Sequence, residues 1–342
     1  MRILVTGGAG FIGSAYVRDL LGGRYPGTDG WRVTVLDSLT YAGDRRNLPP
    51  DGPRLAFVKG DICDAPLLAD LLPGHDAVVH FAAESHVDRS VADAAPFVMT
   101  NVVGTQTLLE ACRRGGVERF VHVSTDEVYG SIETGSWTED HLLAPNSPYS
   151  ASKAAGDLFA RAYWRTHDLA VSVTRCCNNY GPYQYTEKVI PLFVTTLLDG
   201  GSVPLYGDGH NVREWLHVAD HCRAVHLVLT RGRAGEIYNI GGGTELSNLE
   251  LTGRLLDLCG AGWDRVRRVA DRKAHDERYS LDDGKIRTEL GFAPEVPFAD
   301  GLVAVVDWYR DNRWWWEPGA DGADGADGAA GAARPRPIAR LT

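Results

Sequence analysis

The sequence predicts an α/β protein built on a doubly wound parallel sheet, followed by a smaller α/β C-terminal region. Three observations predict it. Short β-rich runs alternate with helical patterns through the first half, a glycine-rich turn joins the first run to the first helix, and beyond residue 176 loops rich in Gly, Pro and Asn separate shorter elements. Alternation implies parallel strands, because each crossover has to return over the face of the sheet.

In chain order, the runs at 3–6, 32–37, 56–59, 77–81, 119–124 and 170–175 read as strands. Helical patterns lie between them at 11–21, 65–72, 98–114 and 149–167. The later loops at 178–185, 207–210 and 241–243 suggest segments that partly return to the first unit. The division expected is 1–176 for the sheet domain, 177–318 for a mainly substrate-binding domain, and 319–342 for a tail. That tail repeats Gly-Ala-Asp and has almost nothing to bury, so disorder is expected there, with Trp314, Trp315 and Trp316 closing the folded part.

The chain has 342 residues and a formal net charge of −10, which disfavours a nucleic-acid partner. Met1-Arg2-Ile3-Leu4-Val5 runs directly into the glycine turn, with no pattern of a secretory leader and no apolar stretch suited to a membrane. The six cysteines form no Cys-x-x-Cys pair, so no metal is expected. Vicinal Cys176 and Cys177 read as buried thiols beside a strand, and a reduced, cytoplasmic protein is the expectation.

Gly7-Gly8-Ala9-Gly10-Phe11-Ile12-Gly13 satisfies two overlapping glycine spacings, G-x-x-G-x-x-G and G-x-G-x-x-G. Such a turn brings backbone close to a pyrophosphate, whose charge then meets a helix N-terminus. Asp37 ends the second strand at the distance expected of a carboxylate that hydrogen-bonds an adenosine ribose. A carboxylate there repels a 2′-phosphate, so NAD is favoured over NADP, and Arg45 and Arg46 are read as surface residues. Asp61 and Ile62 are placed beside the adenine, and Phe81, Ala82 and Ala83 under the cofactor. The fold is therefore expected to be of the Rossmann type.

Tyr149 and Lys153 stand one helical turn apart on the same face. A phenol with a pKa near 10 is a poor base at neutral pH. A neighbouring ammonium and a cationic nicotinamide favour its ionised form. Thr125, at the end of the fifth strand, is placed to hydrogen-bond the reacting oxygen, and Asp126 and Glu127 follow it. Carbonyl reduction needs no such adjacent acids. Elimination of water does, with one removing a carbon-bound proton while the other protonates the departing hydroxyl.

The glycine turn and the Tyr149/Lys153 pair resemble those of the extended short-chain dehydrogenase/reductases. Within them, five segments resemble the nucleotide-sugar 4,6-dehydratases up to about residue 318: 36–43, 80–90, 124–130, 175–182 and 211–215. The resemblance implies dTDP-glucose as substrate. Tyr149 takes the C4 hydroxyl proton as hydride leaves C4, Glu127 takes the C5 proton while Asp126 protonates the C6 hydroxyl, and hydride is returned to C6. NAD is thereby recycled within one turnover, and tight retention is implied. The resemblance adds Ser38, Leu39, Thr40, Ser85, Thr100 and Asn179 to the cofactor site. For the substrate it implies Ser85, Thr125, Asn178, Lys188, Leu192, Pro204, Tyr206, Arg213, Asn248, Arg272 and His275, with Arg213 and Arg272 neutralising the diphosphate and Tyr206 packing on the base. It also implies a homodimer through a four-helix bundle formed by the helix after Asn101 and the Tyr149 helix of each subunit. One departure stands out: Ala274 occupies the place of an expected glycine before His275. A 4-epimerase, a dehydratase of another nucleotide sugar and a non-catalytic NAD-binding regulator remain as alternatives, the last opposed by the intact Tyr149, Lys153, Asp126 and Glu127.

Overall fold

The computed structural model describes residues 1–272 and 275–317, so the Ala274 departure and the expected tail at 319–342 lie outside the described residues. Among the described residues, twelve strands form three sheets: β1 Arg2–Thr6, β2 Arg32–Asp37, β3 Leu55–Lys59, β4 Ala77–His80, β5 Arg119–Thr125, β6 Val171–Cys176, β7 Asn178–Tyr180, β8 Val203–Tyr206, β9 Val212–His217, β10 Ile237–Ile240, β11 Thr244–Ser247 and β12 Val266–Val269. The main sheet has seven strands in the order β10-β6-β5-β4-β1-β2-β3, every neighbour parallel. The expected six strands are present within a residue or so at each end. A seventh, β10, is contributed by a later segment that returns to the edge beside β6.

The pleat of β1 explains why its apolar run is unbroken. Successive side chains alternate between faces, so Ile3 and Val5 enter one core with Val79 and Val121, while Leu4 enters the other with Val78 and Phe120. Strand order reverses between β1 and β4, and the crevice at the carboxyl ends there is where ligands bind on such sheets.

The helix expected at 98–114 is divided. Val98–Gly104 winds in wide π-helical turns before regular α-helix resumes over Thr105–Gly115. Such turns recur at functional sites, and this one carries Asn101. Its amide exchanges two hydrogen bonds of 2.9 Å with the Glu84 backbone and donates to Ser152 Oγ at 2.8 Å. The β4 turn is thereby tied to the long helix Pro148–His167.

Beyond β6, β11-β9-β7 and β12-β8 form two small sheets over a third core that includes Phe193, Leu251, Val305 and Trp315. Trp315 is buried, as expected of the residue closing the fold. Its indole N–H donates to Asn47 Oδ1 at 2.8 Å, and Asn47 Nδ2 donates to the Ala9 carbonyl at 2.9 Å. The end of the described chain thus braces the glycine turn.

Candidate active site

Two glycines of the turn after β1 are required by close approach. A Cβ on Gly7, whose φ is +66°, would lie 2.5 Å from the Ala82 nitrogen, and one on Gly13 would lie 2.3 Å from the Gly7 carbonyl oxygen. The helix Phe11–Leu21 begins at Gly10 with no side-chain cap, which leaves its first N–H groups turned toward a cavity of about 330 Å³. Of the expected cofactor residues, the cavity gathers Gly7, Gly10, Phe11, Ile12, Gly13, Asp37, Ser38, Thr40, Asp61, Ile62, Phe81, Ala82, Ala83, Ser85, Thr100, Tyr149, Lys153 and Asn179. Leu39 does not line the cavity. Its apolar side chain packs against the main core instead, while its N–H donates to Asp37 Oδ1 at 2.8 Å.

Asp37 also accepts from the Ala9 N–H at 2.9 Å through Oδ2, so each oxygen holds one backbone bond and keeps a second lone pair for a hydroxyl. Burial raises this carboxyl and the two backbone bonds oppose the rise. Arg45 bonds Asp51 and the Pro49 carbonyl, and Arg46 bonds Asp44, which gives both the surface role expected of them.

Tyr149 and Lys153 both line the cavity. Lys153 Nζ donates to the Val123 carbonyl on β5 at 2.7 Å. Burial lowers this ammonium, and Asp157, one turn further along the helix, opposes that. Burial also drives the Tyr149 phenol well above its ordinary value, as do the charges of Glu127 and Cys176, while a hydrogen bond with Thr125 pulls it down. Cys176 and Cys177 are free and buried, as expected, and burial pushes the Cys176 thiol up to about 12.

The adjacent acids sit in different surroundings. Asp126 is 2% exposed; Thr125 Oγ1 donates to its Oδ1 at 3.1 Å, and its Oδ2 has no hydrogen-bond partner among the described residues. Burial, then the charges of Glu127 and Glu214, raise it far above the usual carboxylate range. Glu127 is raised by burial as well, but Lys188, Arg213 and Arg272 pull it back toward ionisation. Burial and like charge push one acid toward its protonated form while its neighbour is surrounded by cations, a difference of environment suited to an acid–base pair.

Of the residues expected to bind substrate, Ser85, Thr125, Asn178 and Lys188 line the same cavity, and Lys188 Nζ donates to the Ser85 carbonyl at 2.6 Å. The others lie outside it. Leu192 is turned to the third core. Pro204 and Tyr206 project from β8, and the Arg272 guanidinium lies 4.7 Å from the Tyr206 ring centre while bonding Asp88 at 2.9 Å. Arg213 donates to the Val212 and Asp276 carbonyls and covers the Tyr279 ring. Asn248 opens the helix Asn248–Cys259, its N–H bonded to the Asn211 carbonyl at 3.0 Å. His275 contacts Asp271 at 2.7 Å and lines a separate opening with Asn146 and Asp276.

A family model described as GDP-mannose 4,6 dehydratase matches residues 4–305. A dTDP-glucose 4,6-dehydratase of Streptomyces niveus is 66% identical over 320 residues, covering 93% of this chain and 95% of the relative. The chain belongs to the dTDP-glucose 4,6-dehydratase family. A crystal structure of a dTDP-glucose 4,6-dehydratase from Streptomyces venezuelae with NAD bound is 69% identical, with a TM-score of 0.92, covering 93% of this chain and 99% of the other. A UDP-glucose 4-epimerase of Thermus thermophilus, also with NAD, is 34% identical with a TM-score of 0.83 over 91% of this chain and all of the other.

In this member of the dTDP-glucose 4,6-dehydratase family, the cavity also takes in Glu84, Gln184, Tyr185 and Glu187, none of which was expected from the sequence. Glu84 sits inside one of the resembling segments, and Glu187 precedes Lys188, so adjacency to expected residues was the available signal.

Proposed function

We propose that this chain is an NAD-dependent dTDP-glucose 4,6-dehydratase, converting dTDP-glucose to dTDP-4-keto-6-deoxyglucose. The observation that carries the reading is the pair Asp126 and Glu127, adjacent in sequence and different in environment, on the same cavity as Tyr149 and Lys153. Residues 1–176 make up most of the dinucleotide-binding unit, and 177–318 most of the sugar-nucleotide unit.

The glycine turn fits a dinucleotide on its own evidence: the cradle that a Cβ at Gly7 or Gly13 would fill, the uncapped helix start, and the spare lone pairs of Asp37. Bound there, NAD supplies a reversible two-electron exchange that oxidises C4 and later reduces C6. Tyr149 accepts the C4 hydroxyl proton. The chain's own groups raise its phenol, so its use as a base depends on nearby positive charge, from Lys153 and the oxidised nicotinamide. The 4-ketone acidifies C5, and Glu127, kept ionisable by Lys188 and Arg213, removes that proton. Asp126, pushed toward its protonated form by burial, gives its proton to the C6 hydroxyl, which departs as water. Thr125 bonds Asp126 and receives the Glu127 N–H at 3.3 Å, which fixes both acids beside Tyr149. Lys188, Arg213 and Arg272 supply the positive charge that a nucleoside diphosphate needs.

A 4-epimerase shares the fold but has no elimination to perform, and the Asp126/Glu127 pair favours the dehydratase. Incubation with dTDP-glucose and no added NAD separates the readings. A 4-keto-6-deoxy product supports dehydration, whereas inversion at C4 or cofactor binding alone overturns it.

The enzyme works as a homodimer. Gln106 bonds Tyr163 at 2.9 Å, pairing Thr105–Gly115 with Pro148–His167 in one protomer; Leu158 and Phe159 on the second helix, and Met99 and Val103 on the π-helical turns before the first, are exposed. Exposed apolar residues there suit an interface, and a second copy completes the four-helix bundle. Six free thiols and a nucleotide-sugar substrate suit the cytoplasm.

A further inference from the structure

Three separate turns wall the cofactor cavity on its outer side. Thr40 and Ala42 come from the turn after β2, Glu84 and Ser85 from the turn after β4, and Glu187 from the loop entering the helix Val189–Leu198. Arg89, on the short helix Val87–Ala92 that follows the β4 turn, contacts the other two turns without lining the cavity. Its guanidinium carbon lies 3.9 Å from the centre of the Tyr41 ring, and its Nε donates to Glu187 Oε2 at 3.1 Å. The Glu187 side chain is only 9% exposed, with His86 Nε2 4.0 Å from the same oxygen. A cation on an aromatic face and a charge-assisted bond to a desolvated acid are strong for their size.

We infer that Arg89 is a clasp: by pinning Tyr41 and Glu187 to the β4 turn, it keeps NAD enclosed between the oxidation at C4 and the reduction at C6. The inference rests on the proposed dehydratase reading and deepens it. In that reaction the electron pair taken from C4 is the one returned to C6. A reduced cofactor that escaped would carry the pair away and strand the 4-keto intermediate. A dehydrogenase that exchanges cofactor each turnover has no use for such a clasp.

The test compares wild type with Arg89→Met, which keeps the apolar stem and removes both contacts. Each protein is loaded with radiolabelled NAD and chased with unlabelled NAD, so that the dissociation rate is read without any sugar present. The clasp predicts a rate at least threefold faster in Arg89→Met, and reduced NAD appearing in the filtrate when dTDP-glucose is added. Arg89→Lys, which keeps a cation for Glu187 but loses the planar stack, should fall between. A merely structural role would lower the melting temperature and leave the dissociation rate of the folded fraction unchanged. If Arg89→Met does not fold, Arg89→Lys carries the test, with a smaller rise expected and an unchanged rate overturning the inference. A change below threefold in folded Arg89→Met overturns the inference. Failure of wild type to hold NAD at all would instead overturn the dehydratase reading.

Discussion

Lys153 donates its ammonium to the Val123 carbonyl at 2.7 Å, one helical turn beyond Tyr149. The bond anchors the cation to the strand that also delivers Thr125. Tyr149→Phe should therefore lower kcat by about 10²–10⁴-fold, the usual contribution of a general base, while NAD remains bound. Lys153→Met removes the charge that favours the phenolate, so the acid limb of its kcat–pH profile should move to higher pH. An unmoved limb would deny Lys153 that role.

The two acids should fail at different bonds. Glu127→Gln is expected to abolish deuterium exchange at C5 from heavy water while NAD stays bound. Asp126→Asn is expected to keep that exchange and lose about 10²–10⁴-fold in release of the C6 hydroxyl. Proton NMR of the recovered sugar nucleotide reads both. Identical behaviour in the two variants would contradict the division of roles.

His221 is fully buried on the helix Val218–Arg231, and neither ring nitrogen has a hydrogen-bond partner among the described residues. Burial lowers its pKa to about 3, whereas an unfolded histidine titrates near 6.5. Its folded value is depressed, so the stability linked to it is complete above pH 6.5 and is lost as pH falls toward 3. By pH 5 the loss amounts to about 2 kcal/mol at 1.36 kcal/mol per unit. His221→Leu should flatten the stability–pH slope over that window in urea unfolding, and an unchanged slope would contradict the assignment.

Leu158 is 56% exposed and Phe159 38% exposed, on the Tyr149 helix proposed to pair across the dimer. Leu158→Glu should reduce the light-scattering mass from twice the 37.2 kDa chain toward a single chain. A mass unaffected by the substitution would place the interface elsewhere.

The parts of this site legible in the sequence are those fixed by local spacing. Gly7 to Gly13, Asp37 at a strand end, and Tyr149 with Lys153 follow from the geometry of one turn, one strand and one helix. What separates Asp126 from Glu127 is different in kind, since it depends on Lys188, Arg213 and Arg272, brought in from later segments. Leu39 shows the same limit in reverse, because its neighbours Ser38 and Thr40 line the cavity while its own side chain turns to the core. The π-helical turns at Val98–Gly104 left no mark in the apolar periodicity, and Asn101 within them bonds Ser152, distant along the chain.

In the proposed reaction one NAD, held in place, both takes and returns the same electron pair. Turnover of dTDP-glucose carrying deuterium at C4, with no NAD added and an excess of unlabelled dTDP-glucose present, tests it most directly. The expected product is dTDP-4-keto-6-deoxyglucose in which the label has moved to C6 of the same molecule. Label scattered into unlabelled molecules, or retained at C4 of an inverted sugar, would contradict it.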